Sequence, residues 1–181
     1  IFGCVAWLTN PHILDALATK QNNVSIVVQK EDFLRPDRDA RRKNWKGKLR
    51  QMYHNLGQTT RSCLPGVAGD LSLGADPACE AVRCVGNYNS EKYPAFPRMH
   101  NKFLVFCTFN NIEQEPFENY SPYAVWTGSF NLTSNATMSF ENAVIIHSPA
   151  LASAYLNEWS QILALSEPLD WKSEWVEPTW R

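Results

Sequence analysis

The first thirty residues constrain the fold most: a buried-strand run, a capped helix, then a second buried-strand run. Ile1 to Leu8 (IFGCVAWL) is nearly all apolar, as a strand enclosed on both faces reads. Thr9-Asn10-Pro11 follows, pairing a capping side chain with proline for the first helical turn. Ile13, Leu14, Leu17 and Ala18 then fall on one helical face. Asn23 to Gln29 (NVSIVVQ) is rich in β-branched residues and reads as a second strand. Strand, helix, strand in that order implies a parallel pair joined by a right-handed crossover. The expected class is α/β, with a mixed, mostly parallel sheet and helices on both faces.

The rest of the chain extends that pattern. Residues 35–56 have helical periodicity through Trp45, Leu49, Met52 and Tyr53, and a Gly/Pro/Asp-rich loop runs from about 57 to 79. Short strands are expected at Glu80–Val85, Met99–Thr108, Tyr123–Thr127 and Glu141–His147, with loops at 87–98 and 109–122. Ser148-Pro149 opens a helix over 149–164, striped by Leu151, Tyr155, Trp159 and Ile162. A single domain over 1–165 is expected, with 31–79 as an insertion and 166–181 as a tail holding Trp171, Trp175 and Trp180.

Hydrophobic residues make up 44% of the 181 and charged residues 19%, the balance of an ordinary globular domain. No run reaches the ~18 apolar residues of a membrane span, and no secretory leader is visible, so a cytoplasmic location is expected. The chain opens at Ile1 and inside a strand, so residues are expected to precede it. Five cysteines without regular spacing argue against a disulfide framework. A zinc site from His54, Cys63, Cys79 and Cys84 matches no strong template; packed or loop cysteines are the plainer reading, and no metal or other cofactor is expected.

Net charge is −1, but unevenly spread. From Arg35 to Arg50 there are eight Lys/Arg and two Asp, a local +6 that leaves −7 for the other 165 residues. Such a block is commonly a solvated helix face. Here Trp45 interrupts it, and Arg41, Arg42, Lys43, Lys46 and Lys48 are candidate contacts to a nucleic-acid backbone.

The candidate chemistry lies in the second half. His100-Asn-Lys102 opens one predicted strand; Gly128-Ser129-Phe-Asn131 closes another, and Glu141-Asn142 precedes a third. Alternation puts the His100 and Lys102 side chains on one face. A neutral imidazole can attack a phosphodiester. Lys102, Asn131 and Ser129 are the donor types that hold phosphate oxygens as charge builds on them, and a carboxylate such as Glu141 can fix a histidine tautomer. Singly, each piece has a plain reading: a structural histidine, a turn, a polar strand edge. Jointly, in this order, they read as a site.

His-x-Lys, a Gly-Ser-x-Asn turn and Glu-Asn-Ala-Val-Ile resemble the signature of the phospholipase D superfamily, and most of all its small single-motif endonucleases of the bacterial Nuc type. VAWLTNPHILDAL and SFNLTSNATMSFENAVIIHSPALASAYLNEW extend the likeness over residues 2–30 and 80–165. The resemblance implies His100 as a nucleophile that becomes phosphohistidine, and Lys102 and Asn131, supported by Ser129, as phosphate ligands. It also implies Glu141 as the group that orients His100. Two such motifs face each other in this superfamily; with one here, it implies a homodimer sharing one site. The basic block favours nucleic acid, DNA ahead of RNA, over lipid. A lipid phosphodiesterase and a non-catalytic binding domain are the alternatives. Two departures stand out: Cys107 occupies the place of the motif's Asp, and 109–122 replaces a tight turn and is expected to lie close to the site.

Overall fold

The structure, a computed structural model, describes residues 1–31, 34, 43–60, 64–67, 78–89, 96–110 and 120–169. In chain order its elements are β1 (Phe2–Val5), α1 (Pro11–Ala18), β2 (Ser25–Glu31), α2 (Lys43–His54), β3 (Gln58–Thr60) and β4 (Ala78–Glu80). There follow β5 (Val82–Asn89), β6 (Lys102–Phe109), β7 (Tyr120–Gly128), β8 (Ala143–His147) and α3 (Pro149–Ala164), with a 3-10 turn over Asn135–Met138 between β7 and β8.

Six strands make one mixed sheet in the order β5-β2-β1-β6-β7-β8. The parallel part is β5-β2-β1, where crossovers carry the chain back over the sheet. β6, β7 and β8 pair antiparallel, and β6 also runs antiparallel to β1. Strand alternation splits the core in two. Val5, Ile26, Val28 and Leu104 face α1 and α2 through Leu14, Leu17, Leu49 and Tyr53. Phe2, Val27, Phe103, Val105 and Val125 face α3 through Ala152, Leu156, Trp159 and Leu163. The α/β sheet with helices on both faces is thus the expected architecture.

Both helix starts form as their sequences dictate. The Asn10 side chain accepts from the backbone N–H of His12 at 3.0 Å and of Ile13 at 3.3 Å, with Pro11 at the first position. Ser148 accepts from the Leu151 N–H at 3.3 Å, with Pro149 in the same place. Two expectations shift. The 57–79 loop begins and ends in strand, since β3 pairs antiparallel with β4, Gln58 opposite Glu80. Strands this short show no periodicity, and only their distant partner defines them. β5 also continues past Val85 to Asn89, because Gly86 takes φ +87 inside the strand; a Cβ there would come 2.6 Å from Gln29 Oε1.

Of the expected tail, 166–169 is described and packs on the domain. Glu167 and Cys84 exchange backbone hydrogen bonds at 2.8 and 2.9 Å. The buried Lys30 ammonium is paired with the Glu167 carboxylate. Trp171, Trp175 and Trp180 lie outside the described residues. No described helix is long and apolar enough to cross a membrane.

Candidate active site

The site forms where the carboxyl end of β1 meets the start of β6. Lys102 is the first residue of β6 and stands opposite Val5. The carbonyl of Asn101 accepts from the Ala6 N–H at 2.9 Å, which pins the lead-in to β6 against β1. His100 lies in that lead-in and is exposed, whereas Lys102 is buried. The Lys102 Nζ turns back, 3.2 Å from His100 Nδ1, 3.4 Å from Nε2 and 3.0 Å from the His100 carbonyl oxygen.

Burial and neighbouring charges shift both groups. The His100 pKa is lowered, first by loss of solvent around the ring and then by the Lys102 and Arg98 charges. The imidazole is therefore neutral at neutral pH, with a ring lone pair to accept from the ammonium. Burial lowers the Lys102 pKa too, and the Glu141 carboxylate opposes that shift.

Glu141 and Ser129 arrive on the other hairpin. β7 ends at Gly128 opposite Ala143, and a Cβ at Gly128 would sit 2.1 Å from the Asn142 carbonyl oxygen, so only glycine permits this approach. The Ser129 N–H donates to that carbonyl at 2.9 Å, and the Asn142 N–H donates to Ser129 Oγ at 3.1 Å. The Ser129 hydroxyl donates in turn to Glu141 Oε2. Among the described residues Glu141 makes no hydrogen bond to His100; its carboxylate meets Ser129 and acts on the Lys102 charge.

The turn carrying Asn131 is stitched to the β1–α1 loop. The Leu132 N–H donates to the Trp7 carbonyl at 3.0 Å, and the N–H groups of Thr9 and Asn10 donate to the Leu132 carbonyl at 2.9 and 3.0 Å. Asn131 borders a pocket of about 470 Å³ with Trp7, Thr9, Trp45, Thr133 and Glu141. Its Oδ1 is buried and without a hydrogen-bond partner.

The structure therefore brings together two contacting pairs, His100 with Lys102 and Ser129 with Glu141, linked by the Glu141 charge acting on Lys102; Asn131 borders the same pocket as Glu141. Sequence reasoning missed Trp7 and Thr9, though ligands in α/β sheets commonly bind beyond the carboxyl ends of strands. Trp45 was visible only as an aromatic in a basic run. Of that run, Arg41 and Arg42 lie outside the described residues; Lys43 begins α2, Lys46 is half-buried and Lys48 is exposed.

What is described of both departures from the motif lies at the far end of β6. Cys107 lies five residues along β6 from Lys102, roughly 16 Å at the rise of a strand. It is half-buried beside the α3 core, where desolvation pushes its thiol up to about 11. The 109–122 connection leaves the sheet at that same end, where Phe109 pairs with Tyr120. Its described ends are therefore a full strand length from Lys102, while the expectation that the connection lies close to the site falls on residues outside the described ones. Residues 111–119 lie outside the described residues. Cys79 and Cys84 are buried thiols, Cys63 is not described, and no group of three metal-ligating side chains occurs among the described residues.

With this geometry in place, the comparisons are consistent. The family described as "Cardiolipin synthase, PLD-like domain" matches residues 3–163, and the chain belongs to this phospholipase D-like family. An uncharacterized protein of Acanthamoeba polyphaga mimivirus is 33% identical over 186 residues, covering 96% of this chain and 61% of that protein. The chain thus spans about three-fifths of that relative's length. The crystal structure of Nuc, a phospholipase D family member from Salmonella typhimurium, matches with a TM-score of 0.51 at 20% identity, covering 94% of this chain and 80% of that one. At that identity the likeness is one of fold.

Proposed function

We propose that this protein hydrolyses phosphodiester bonds of nucleic acid through a covalent phosphohistidine on His100, with no metal. The observation that carries the reading is the buried Lys102 ammonium set against a neutral His100 ring. A phosphodiester entering between them would take the ammonium's hydrogen bonds on a non-bridging oxygen and free the ring lone pair for attack on phosphorus. The nitrogen–phosphorus bond forms as the bond to the leaving oxygen breaks. A second histidine, held protonated by the negative charge of the bound phosphate, gives its proton to that oxygen, then takes one from the water that hydrolyses the phosphohistidine. Lys102 supplies the cation that a metal would otherwise bring, Asn131 holds a phosphate oxygen, and Glu141 with Ser129 keeps Lys102 in place.

The second histidine is assigned to another copy of the chain, since His100 heads the single His-x-Lys of this sequence. The outer edge strand β8 supports this: Val144 and Ile145 are exposed, and such an edge ordinarily needs a cover. Dimerisation would be seen by sedimentation. Lys46, Lys48 and the basic run before them favour a nucleic acid over a lipid, with DNA placed ahead of RNA.

The decisive test pairs His100→Ala with a chelator on a labelled oligonucleotide. Cleavage and the acid-labile phosphoenzyme should vanish in the variant and survive EDTA. Chelation that stops the reaction, or turnover by His100→Ala, overturns the mechanism. A second reading is favoured by one feature: Met138 and Phe140 stand exposed on either side of Ser139, which lines the pocket, as an apolar lip for a phospholipid surface would. Release of head groups from vesicles faster than oligonucleotide cleavage would select it.

A further inference from the structure

The pocket beside the phosphate ligands is built unlike them. None of its described lining residues is Lys or Arg, and its one charged side chain, Glu141, is held by Ser129. Among the described lining residues a second phosphate finds no cation to pair with. What the pocket offers is two indoles, Trp7 from just past β1 and Trp45 from α2, together with a rim of hydroxyl and amide side chains that includes Thr9, Thr133 and Asn135. The Trp7 ring is fixed, since its Nε1–H donates to Glu31 Oε1 at 2.8 Å and Glu31 is itself buried. Trp45 is 43% exposed, which leaves ring surface for a ligand.

From these features we infer that the pocket is a nucleobase subsite: the base next to the scissile phosphate stacks on Trp45 and is bounded by Trp7, its polar edge turned to the hydroxyl and amide rim. The inference rests on the nucleic-acid reading above and names the part of the substrate that this region grips. Stacking on an indole suits any base, because every base has a π-face. The volume of about 470 Å³ is ample for one base and its sugar. Asn131 joins the two halves. With its amide on a phosphate oxygen, Asn131 also lines the pocket, so it stands where that phosphate and the adjoining base would meet. A quaternary ammonium head group is the rival occupant, since indoles and a carboxylate also bind such cations. It has no hydrogen-bonding edge to use the rim.

The test uses the full chain carrying His100→Ala, so that binding is read without turnover. A short oligodeoxynucleotide and an abasic oligomer of equal length and phosphate count are titrated by tryptophan fluorescence and by competition. The base-bearing oligomer should bind about tenfold tighter or better. Trp45→Ala should shrink that ratio below about threefold, and Trp45→Phe should keep most of it. Equal binding of the two oligomers, or an equal loss for both in Trp45→Ala, overturns the subsite. So does phosphocholine that quenches and competes where nucleotides do not. Trp7→Phe gives a second measure should Trp45→Ala unfold. Cleavage by the His100→Ala chain itself would instead break the parent reading, so the two failures are separable.

Discussion

The two ends of β6 belong to one strand and one motif, yet they do different work. At its start Lys102 is buried with its charge, held by the His100 carbonyl and ring and balanced by Glu141. At its far end Cys107 is a neutral thiol beside an apolar core, after a register shift between Phe106 and Cys107. A buried charge persists only where partners offset its desolvation, and those partners cluster at one end. The lesson is that the motif's spacing joins a chemical end to a packing end. A change at Cys107 reaches the chemistry only through the fold, so a cysteine there is weak support for a non-catalytic domain.

The comparison can be broken at either end. The largest effect is expected from His100→Ala: loss of about 10⁴-fold or more in oligonucleotide cleavage, with an unchanged circular dichroism spectrum. Lys102→Met should cost roughly 10²–10³-fold in kcat. It should also move the His100 titration, followed by NMR of the ring protons. In the parent protein that pKa lies below the ordinary value, so the reactive neutral form persists as pH falls and is lost only below it. Removing the neighbouring cation should raise the pKa and bring that loss to higher pH; a downward move would sink the electrostatic argument. Glu141→Gln leaves the shape but removes the charge, and about tenfold in kcat is expected, with the Lys102 pKa shifted further down. The smallest effect belongs to the far end. Cys107→Ala should change kcat by less than about twofold and act on thermal stability instead. A large fall in kcat with normal stability would show the two ends to be coupled.

Much of the fold was legible. The caps at Asn10 and Ser148, the helix at 149–164 and the first two strands rest on local patterns that survive burial because nothing in their surroundings contradicts them. The β3–β4 pair and the extension of β5 through Gly86 were not, because each depends on a partner distant in sequence. The same division runs through the site. Residue types and order pointed to His100, Lys102, Ser129, Asn131 and Glu141, since chemistry restricts which side chains can serve. Which of them touch was not written there: Glu141 meets Ser129 and not His100 in this structure.

What the sequence by itself determined was the α/β class, the two capped helices and the set of reactive groups, because strand and helix periodicity and side-chain chemistry are local properties. Only the tertiary structure decided that Cys107 and the described ends of the 109–122 connection lie away from the site, because strand direction and register separate residues close in sequence. It also decided that Trp7 and Trp45 share a pocket with Asn131, since sheet order and the packing of α2 bring together residues that no local pattern links.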